Sequence, residues 1–152
     1  MKGVHQYFDG WLIVNILFFL TPKSEVAHIY EDFTMRQALE KMEYHRYSSI
    51  PLISKEGKYI GTITEGDLLW TLKNEYYLDL KRAQDVCVKN IKRRKDNKAE
   101  SINANIEDLI VTSMTQNFIP VVDDNDIFIG IIKRSDVIEY VYKLIKKEDM
   151  KI

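Results

Sequence analysis

The sequence predicts an α/β (α+β) protein built from two pseudo-symmetric β-α-β-β-α repeats packed as one module. Three observations predict it. The run Ile50-Pro51-Leu52-Ile53, followed by Tyr59-Ile60-Gly61-Thr62-Ile63-Thr64-Glu65-Gly66-Asp67-Leu68-Leu69, returns as Ile119-Pro120-Val121-Val122 and Phe128-Ile129-Gly130-Ile131-Ile132-Lys133-Arg134-Ser135-Asp136-Val137-Ile138. The offset is constant at 69 positions, and pairing 50–69 with 119–138 without gaps leaves six residues identical. Each copy is also preceded by a segment with helical spacing of its apolar residues. A unit this small cannot bury a core alone, so the copies are expected to meet along a cleft, the usual place for a ligand.

In the first half, Val26 to Ile29 is predicted to be a strand. Met35, Ala38, Leu39 and Met42 then have helical spacing behind Thr34, a favourable N-cap. Ser49 to Ile53 and Tyr59 to Ile63 read as buried strands joined by the turn Lys55-Glu56-Gly57-Lys58, and Leu68, Leu69 and Leu72 open a helix. The second half repeats the order. Glu100 to Ile102 is its first strand, and Ile106, Leu109, Ile110 and Met114 mark its helix. Ile119 to Val122 and Ile127 to Ile132 flank the hairpin turn Asp123-Asp124-Asn125-Asp126, and Val137, Ile138, Val141 and Ile145 share the face of a last helix. The predicted layout is an apolar extension 1–18, repeats 19–75 and 99–146 around a polar linker 76–98 with a short helix near Leu80 to Gln84, and a tail 147–152. Each repeat is expected to carry a three-stranded sheet.

Composition narrows the function. With 45% hydrophobic and 30% charged residues the chain reads as soluble and globular, and a net charge of −1 supplies no field for nucleic acid or an anionic membrane. A single cysteine, Cys87, excludes an internal disulfide and suits a cytoplasmic protein. Trp11 to Leu20 is nearly all apolar but about half the length of a membrane span. It reads as a strand or short helix on the core, with a targeting segment or a partner-binding flap as alternatives. Residues 1–13 are a candidate upstream extension, with translation starting at Val14.

The chemistry concentrates where the last strand of each repeat meets its helix. Such a junction aims backbone N–H groups and the positive end of a helix dipole at one point. Asp67, in the first turn, can accept hydrogen bonds from neighbouring hydroxyls such as those of a ribose, and Thr64 can bond a ribose oxygen or a phosphate. The same Thr64-x-x-Asp67 spacing also suits a capping box. The second half weakens that alternative. Lys133 replaces the threonine, Ser135 becomes the expected N-cap, and Asp136 keeps its place.

These residues resemble the cystathionine β-synthase (CBS) domain, and two tandem copies resemble a Bateman module. The resemblance covers roughly residues 19–145. It implies a regulatory module that binds AMP, ADP, ATP, S-adenosylmethionine or cyclic di-AMP, pairs into a flat homodimer and signals to an effector protein. It places ribose contacts on Thr64 and Asp67, and on Lys133 and Asp136. It places the base against Ala27, His28, Ser48, Ser49, Ile50 and Pro51, and against Ser101, Asn117, Phe118, Ile119 and Pro120. Lys133 departs from the family's hydroxyl residue. It either pairs with Asp136 and closes the site or reaches a phosphate, with Arg134 and Arg93 as further phosphate contacts. Replacing Asp67 with alanine is expected to cost about 1.5–3 kcal/mol of nucleotide affinity and to leave the fold almost unchanged.

The remaining motifs have plainer readings. Lys92-Arg93-Arg94-Lys95 lacks the interleaved aromatics and basic domain of a nucleic-acid surface, and is a solvated loop or a phosphate contact. His5, His28 and His45 have no metal-ligand spacing. Asp123 to Asp126 lacks the glycine and terminal glutamate of a calcium loop. Tyr76, Tyr77, Tyr140 and Tyr142 read as helix packing or dimer contacts, and Trp70 as a dimer-face residue. No glycine-rich dinucleotide motif, Walker lysine or nucleophile elbow occurs, so the chain reads as no enzyme, with no required cofactor. The alternative function is a dimeric interaction protein with vestigial sites.

Overall fold

The structure is a computed structural model that describes the backbone of residues 6–8 and 11–13 and all of residues 15–150. The predicted start at Val14 lies outside the described residues. The chain divides into two compact units. One is Ala27–Asn97; the other combines the segment up to Val26 with the segment from Lys98 on.

The Ala27–Asn97 unit contains β4 (Ile29–Tyr30), α1 (Met35–His45), β5 (Ser49–Ile53), β6 (Tyr59–Thr64), α2 (Glu65–Tyr76) and the short α3 (Leu80–Ala83). The sheet order is β4-β5-β6, with β4 parallel and β6 antiparallel to β5. The first strand starts three residues later than predicted. Val26 ends a 3-10 turn, giving its N–H to Lys23 O at 3.2 Å, so extended pairing begins only at Ile29. Ile29, Met35, Ala38, Ile50, Leu52 and Ile63 are fully buried together. The connector, although polar in composition, adds Ala83, Val88 and Ile91 to this core.

The other unit begins with a two-stranded ribbon, β1 (Gln6–Phe8) and β2 (Trp11–Ile13). Next come a 3-10 turn Ile16–Phe19 and β3 (Leu20–Pro22). After the connector come β7 (Glu100–Ser101), α4 (Ile106–Ser113), β8 (Phe118–Val122), β9 (Phe128–Lys133) and α5 (Arg134–Asp149). The apolar N-terminal run is thus strand, turn and strand, with Ile16 buried in this unit's core beside Leu109, Ile119, Val121, Ile132 and Val137. The sheet has four strands rather than three, in the order β3-β9-β8-β7, because β3 pairs antiparallel with β9.

Both hairpins carry a register shift at the same repeat position, between Leu52 and Ile53 and between Val121 and Val122. The outer edge of the last strand is covered in both units, which protects it from pairing with another chain. Strand β3 covers β9 so closely that a Cβ on Gly130 would collide with the Thr21 carbonyl. On β6 the connector does the same work through side chains. Asp96 Oδ1 accepts from Thr62 N at 3.0 Å, and the Tyr59 hydroxyl donates to Asn97 O at 2.6 Å. A Cβ on Gly61 would strike Asp96 Oδ1.

Candidate functional site

The four longer helices differ at their starts. α1 opens on a reciprocal capping box between Thr34 and Gln37, and α4 on one between Asn105 and Asp108. α2 opens on Thr64 and Asp67: Thr64 Oγ1 accepts from Asp67 N and Asp67 Oδ2 accepts from Thr64 N, both at 3.0 Å. The capping alternative read from the sequence is therefore formed. α5 begins on Lys133 with no side-chain cap bond. Ser135, expected to be its N-cap, lies one residue inside the helix, because β9 runs on until Lys133 pairs with Phe118 and Arg134 N donates to Asn117 O at 3.1 Å. An N-cap side chain is worth about 1 kcal/mol, and α5 alone of the four forgoes it.

The two equivalent aspartates live in different surroundings. Asp67 is 4% exposed. Its second oxygen, Oδ1, accepts from the Arg94 N–H at 3.0 Å, so the carboxylate ties the connector to the start of α2. With Trp70, Thr71, Asn74, Lys92 and Arg94 it lines a surface pocket of about 200 Å³, below the ~300 Å³ from which small-molecule sites usually start. Asp136 is half-buried, and its carboxylate has no hydrogen-bond or ion-pair partner among the described residues. Lys133, three residues earlier, forms no ion pair with it within 4.0 Å. Arg134 and Asp136 stand two residues apart, a spacing that puts them on different sides of a helix.

The other expected contacts fall into two groups. In the first unit Ser49 pairs across the sheet with Thr64, and Ser48 O accepts from Glu65 N at 3.0 Å, joining the strand entry to the helix start. Ile50 and Pro51 are buried, and Ala27 and His28 precede β4, which lies on the far side of β5 from β6. His28 stacks edge-on against Tyr30 at 5.5 Å. Arg93 is engaged within its own loop: its Nε meets Asp96 Oδ1 at 2.7 Å. In the second unit Phe118 lies opposite Lys133, Ile119 opposite Ile132 and Pro120 opposite Ile131, so one hairpin carries all of them to the start of α5. Ser101 sits at the opposite edge of that sheet, on β7.

Two residues escaped the sequence reading. Gln116 is 5% exposed and holds three backbone groups: Lys98 N donates to its Oε1 at 2.6 Å, and its Nε2 donates to Lys98 O and Phe118 O at 3.0 and 3.2 Å. Its own carbonyl accepts from Arg134 Nε at 2.6 Å. Asp96 clips the connector to β6. The Gln116 clamp and the tie from Asp96 to Thr62 N run to backbone atoms, which leave no trace in a residue pattern.

The sequence model of the CBS domain matches residues 19–74 and 88–143, one match for each copy of the repeat. The chain belongs to the CBS domain family. A structure of CbpB in complex with c-di-AMP has the same fold, with a TM-score of 0.79 at 19% identity, covering 92% of both chains. A structure of CBSX2 in complex with AMP superposes with a TM-score of 0.67 at 20% identity, covering 86% of this chain and 97% of that one. Homoserine O-acetyltransferase of Methanococcus vannielii is 28% identical over 135 residues, 88% of this chain. The chain spans a quarter of that enzyme's length. No helix among the described residues is long and apolar enough to cross a membrane.

Proposed function

We propose that this CBS-pair chain is a regulatory sensor of an adenine nucleotide, AMP, ADP, ATP or cyclic di-AMP, seated at the strand–helix junction of its second repeat. The observation that carries the reading is the open Asp136 carboxylate at the one long helix start without a cap. A local rule broken at one copy of a repeat and kept at the other marks a place where something besides folding is served. Asp136 takes the ribose hydroxyls, Lys133 and Arg134 take the phosphate end of a ligand laid across the uncapped helix start, and Phe118, Ile119 and Pro120 give the base an apolar wall. The complexes of CbpB with c-di-AMP and of CBSX2 with AMP support an adenosyl ligand. At the first repeat, Thr64 and Asp67, with Ala27, His28 and Ser49 to Pro51, form a second seat that a ligand reaches only by displacing the Arg94 N–H. The ligand biases the shape of a homodimer through unequal affinity for its states, and an effector protein reads the result.

A second reading, an interaction protein with vestigial sites, draws support from exposed apolar side chains on the helices. Leu69 and Trp70 are about half exposed in one unit, and Met114 and Ile138 more than half in the other. Thermal unfolding against AMP, ADP, ATP and cyclic di-AMP separates the two. A bound ligand at a hundredfold excess over Kd adds about 2.7 kcal/mol, which raises Tm by about 5–10 °C in a chain of this size. No rise with any of the four at millimolar concentration rejects the sensor in favour of the interaction protein.

A further inference from the structure

The two junctions carry opposite charge. Thr64, Glu65 and Asp67 bring two carboxylates and no cation, whereas Lys133, Arg134 and Asp136, at the same repeat positions, bring two cations and one carboxylate. Neither cation is neutralised: the Lys133 and Arg134 side chains form no ion pair among the described residues.

Arg134 is also held in place. The residue is half-buried, and its Nε donates to Gln116 O at 2.6 Å, so the guanidinium is fixed at one corner. Its terminal nitrogens have no partner among the described residues. A guanidinium fixed at Nε presents its remaining N–H donors as a fork, the geometry that matches two phosphate oxygens. The carbonyl that fixes it belongs to a residue that cannot drift. The buried Gln116 amide is clamped between Lys98 and Phe118 by the three hydrogen bonds described above. The mount spends only Nε and leaves the terminal donors unspent, although ordering a long side chain costs rotamer entropy.

We infer that Gln116 is a positioning residue that holds Arg134 as a phosphate clamp, so that the second-repeat junction selects phosphorylated adenosyl ligands over the bare nucleoside. The inference rests on the sensor reading and adds its specificity. Lys133 supplies a mobile point charge beside the fixed fork. The first-repeat junction, with Glu65 in the place of Arg134, lacks the fork.

Calorimetric titration of the full chain with AMP and with adenosine, at low and at physiological salt, tests it. Wild type is expected to bind AMP at least about tenfold more tightly, as a charge-assisted pair of hydrogen bonds supplies, with the preference shrinking as salt rises. Arg134→Gln removes the preference, weakening AMP far more than adenosine. Arg134→Lys does not restore it, because an ammonium cannot bond the Gln116 carbonyl and also present a fork. Gln116→Ala and the size-matched Gln116→Glu each lower the AMP preference while sparing adenosine; where either folds poorly, the Arg134 variants carry the test. Equal wild-type affinity for AMP and adenosine overturns the inference and leaves the sensor reading standing. So does an Arg134→Gln variant that weakens both ligands alike. Full AMP preference in well-folded Gln116 variants overturns the positioning role. Binding of neither ligand overturns the inference, and the sensor reading then rests on ADP, ATP and cyclic di-AMP in the thermal-unfolding comparison.

Discussion

Replacing Asp67 with alanine should unfold more of this protein than it silences. The carboxylate is 4% exposed and accepts two backbone N–H groups, from Thr64 and from Arg94, each at 3.0 Å. Hydrogen bonds to a charged acceptor are worth about 1.5–3 kcal/mol each. The Arg94 end is exposed, so its N–H regains water after the substitution and recovers part of the loss. The Thr64 hydroxyl still accepts the residue-67 N–H, which is backbone, so half of the capping box survives. The expected cost is about 2–4 kcal/mol of stability. Asp136→Ala is the matched control. That carboxylate has no partner among the described residues, and its loss removes only a favourable first-turn charge, under about 1 kcal/mol. Urea unfolding of both variants, read as a shift in midpoint at constant slope, tests the contrast. Trypsin adds a second readout, since freeing Arg94 exposes Lys92-Arg93-Arg94-Lys95 and should speed cleavage there. An Asp67→Ala variant within about 0.5 kcal/mol of wild type, or an Asp136→Ala variant equally destabilised, would refute the division of labour.

Gly130→Ala should be severe, by about 2 kcal/mol or more in urea unfolding, because its Cβ meets the Thr21 backbone; Gly61→Ala meets the movable Asp96 side chain and should cost less while accelerating tryptic cleavage of the connector. Thr112→Val removes the 2.7 Å bond to the buried Glu100 carboxylate, leaving Lys98 Nζ at 3.2 Å, and should lower stability by about 1–2 kcal/mol. Burial holds the Tyr59 hydroxyl well above the ordinary phenol value of 10. A folded-state pKa raised in this way favours the protonated form, so its stabilisation is complete below pH ~10 and is lost as pH climbs toward the folded value. The urea midpoint of wild type should therefore fall more steeply above pH ~10 than that of Tyr59→Phe; parallel curves would remove Tyr59 from the alkaline transition.

The repeat made much of this architecture legible. A constant offset places both hairpins, and even their register shifts recur 69 residues apart, at Leu52 and Val121. The home of Leu20–Pro22 was not legible, because a three-residue strand carries no signal for which sheet it joins. At the site, the same spacing serves a cap and a ligand equally well, so Thr64-x-x-Asp67 alone could not decide. The structure shows the cap formed and the second oxygen spent on Arg94, which overturns the expectation that losing Asp67 would leave the fold almost unchanged. Lys133 was read as either closing on Asp136 or reaching outward, and no ion pair forms between them. The Gln116 clamp and the tie from Asp96 to β6 were invisible because they rest on carbonyls and N–H groups common to every residue.

Native mass spectrometry of the full chain mixed with AMP, ADP, ATP or cyclic di-AMP, wild type beside Asp136→Ala, is the sharpest test of nucleotide binding at the second junction. A nucleotide adduct is expected on the wild-type chain, and Asp136→Ala should lose or sharply reduce it while keeping its folded charge-state distribution. A wild-type chain that takes up none of the four at millimolar concentration, or an Asp136→Ala chain that binds as well as wild type, would contradict the sensor reading.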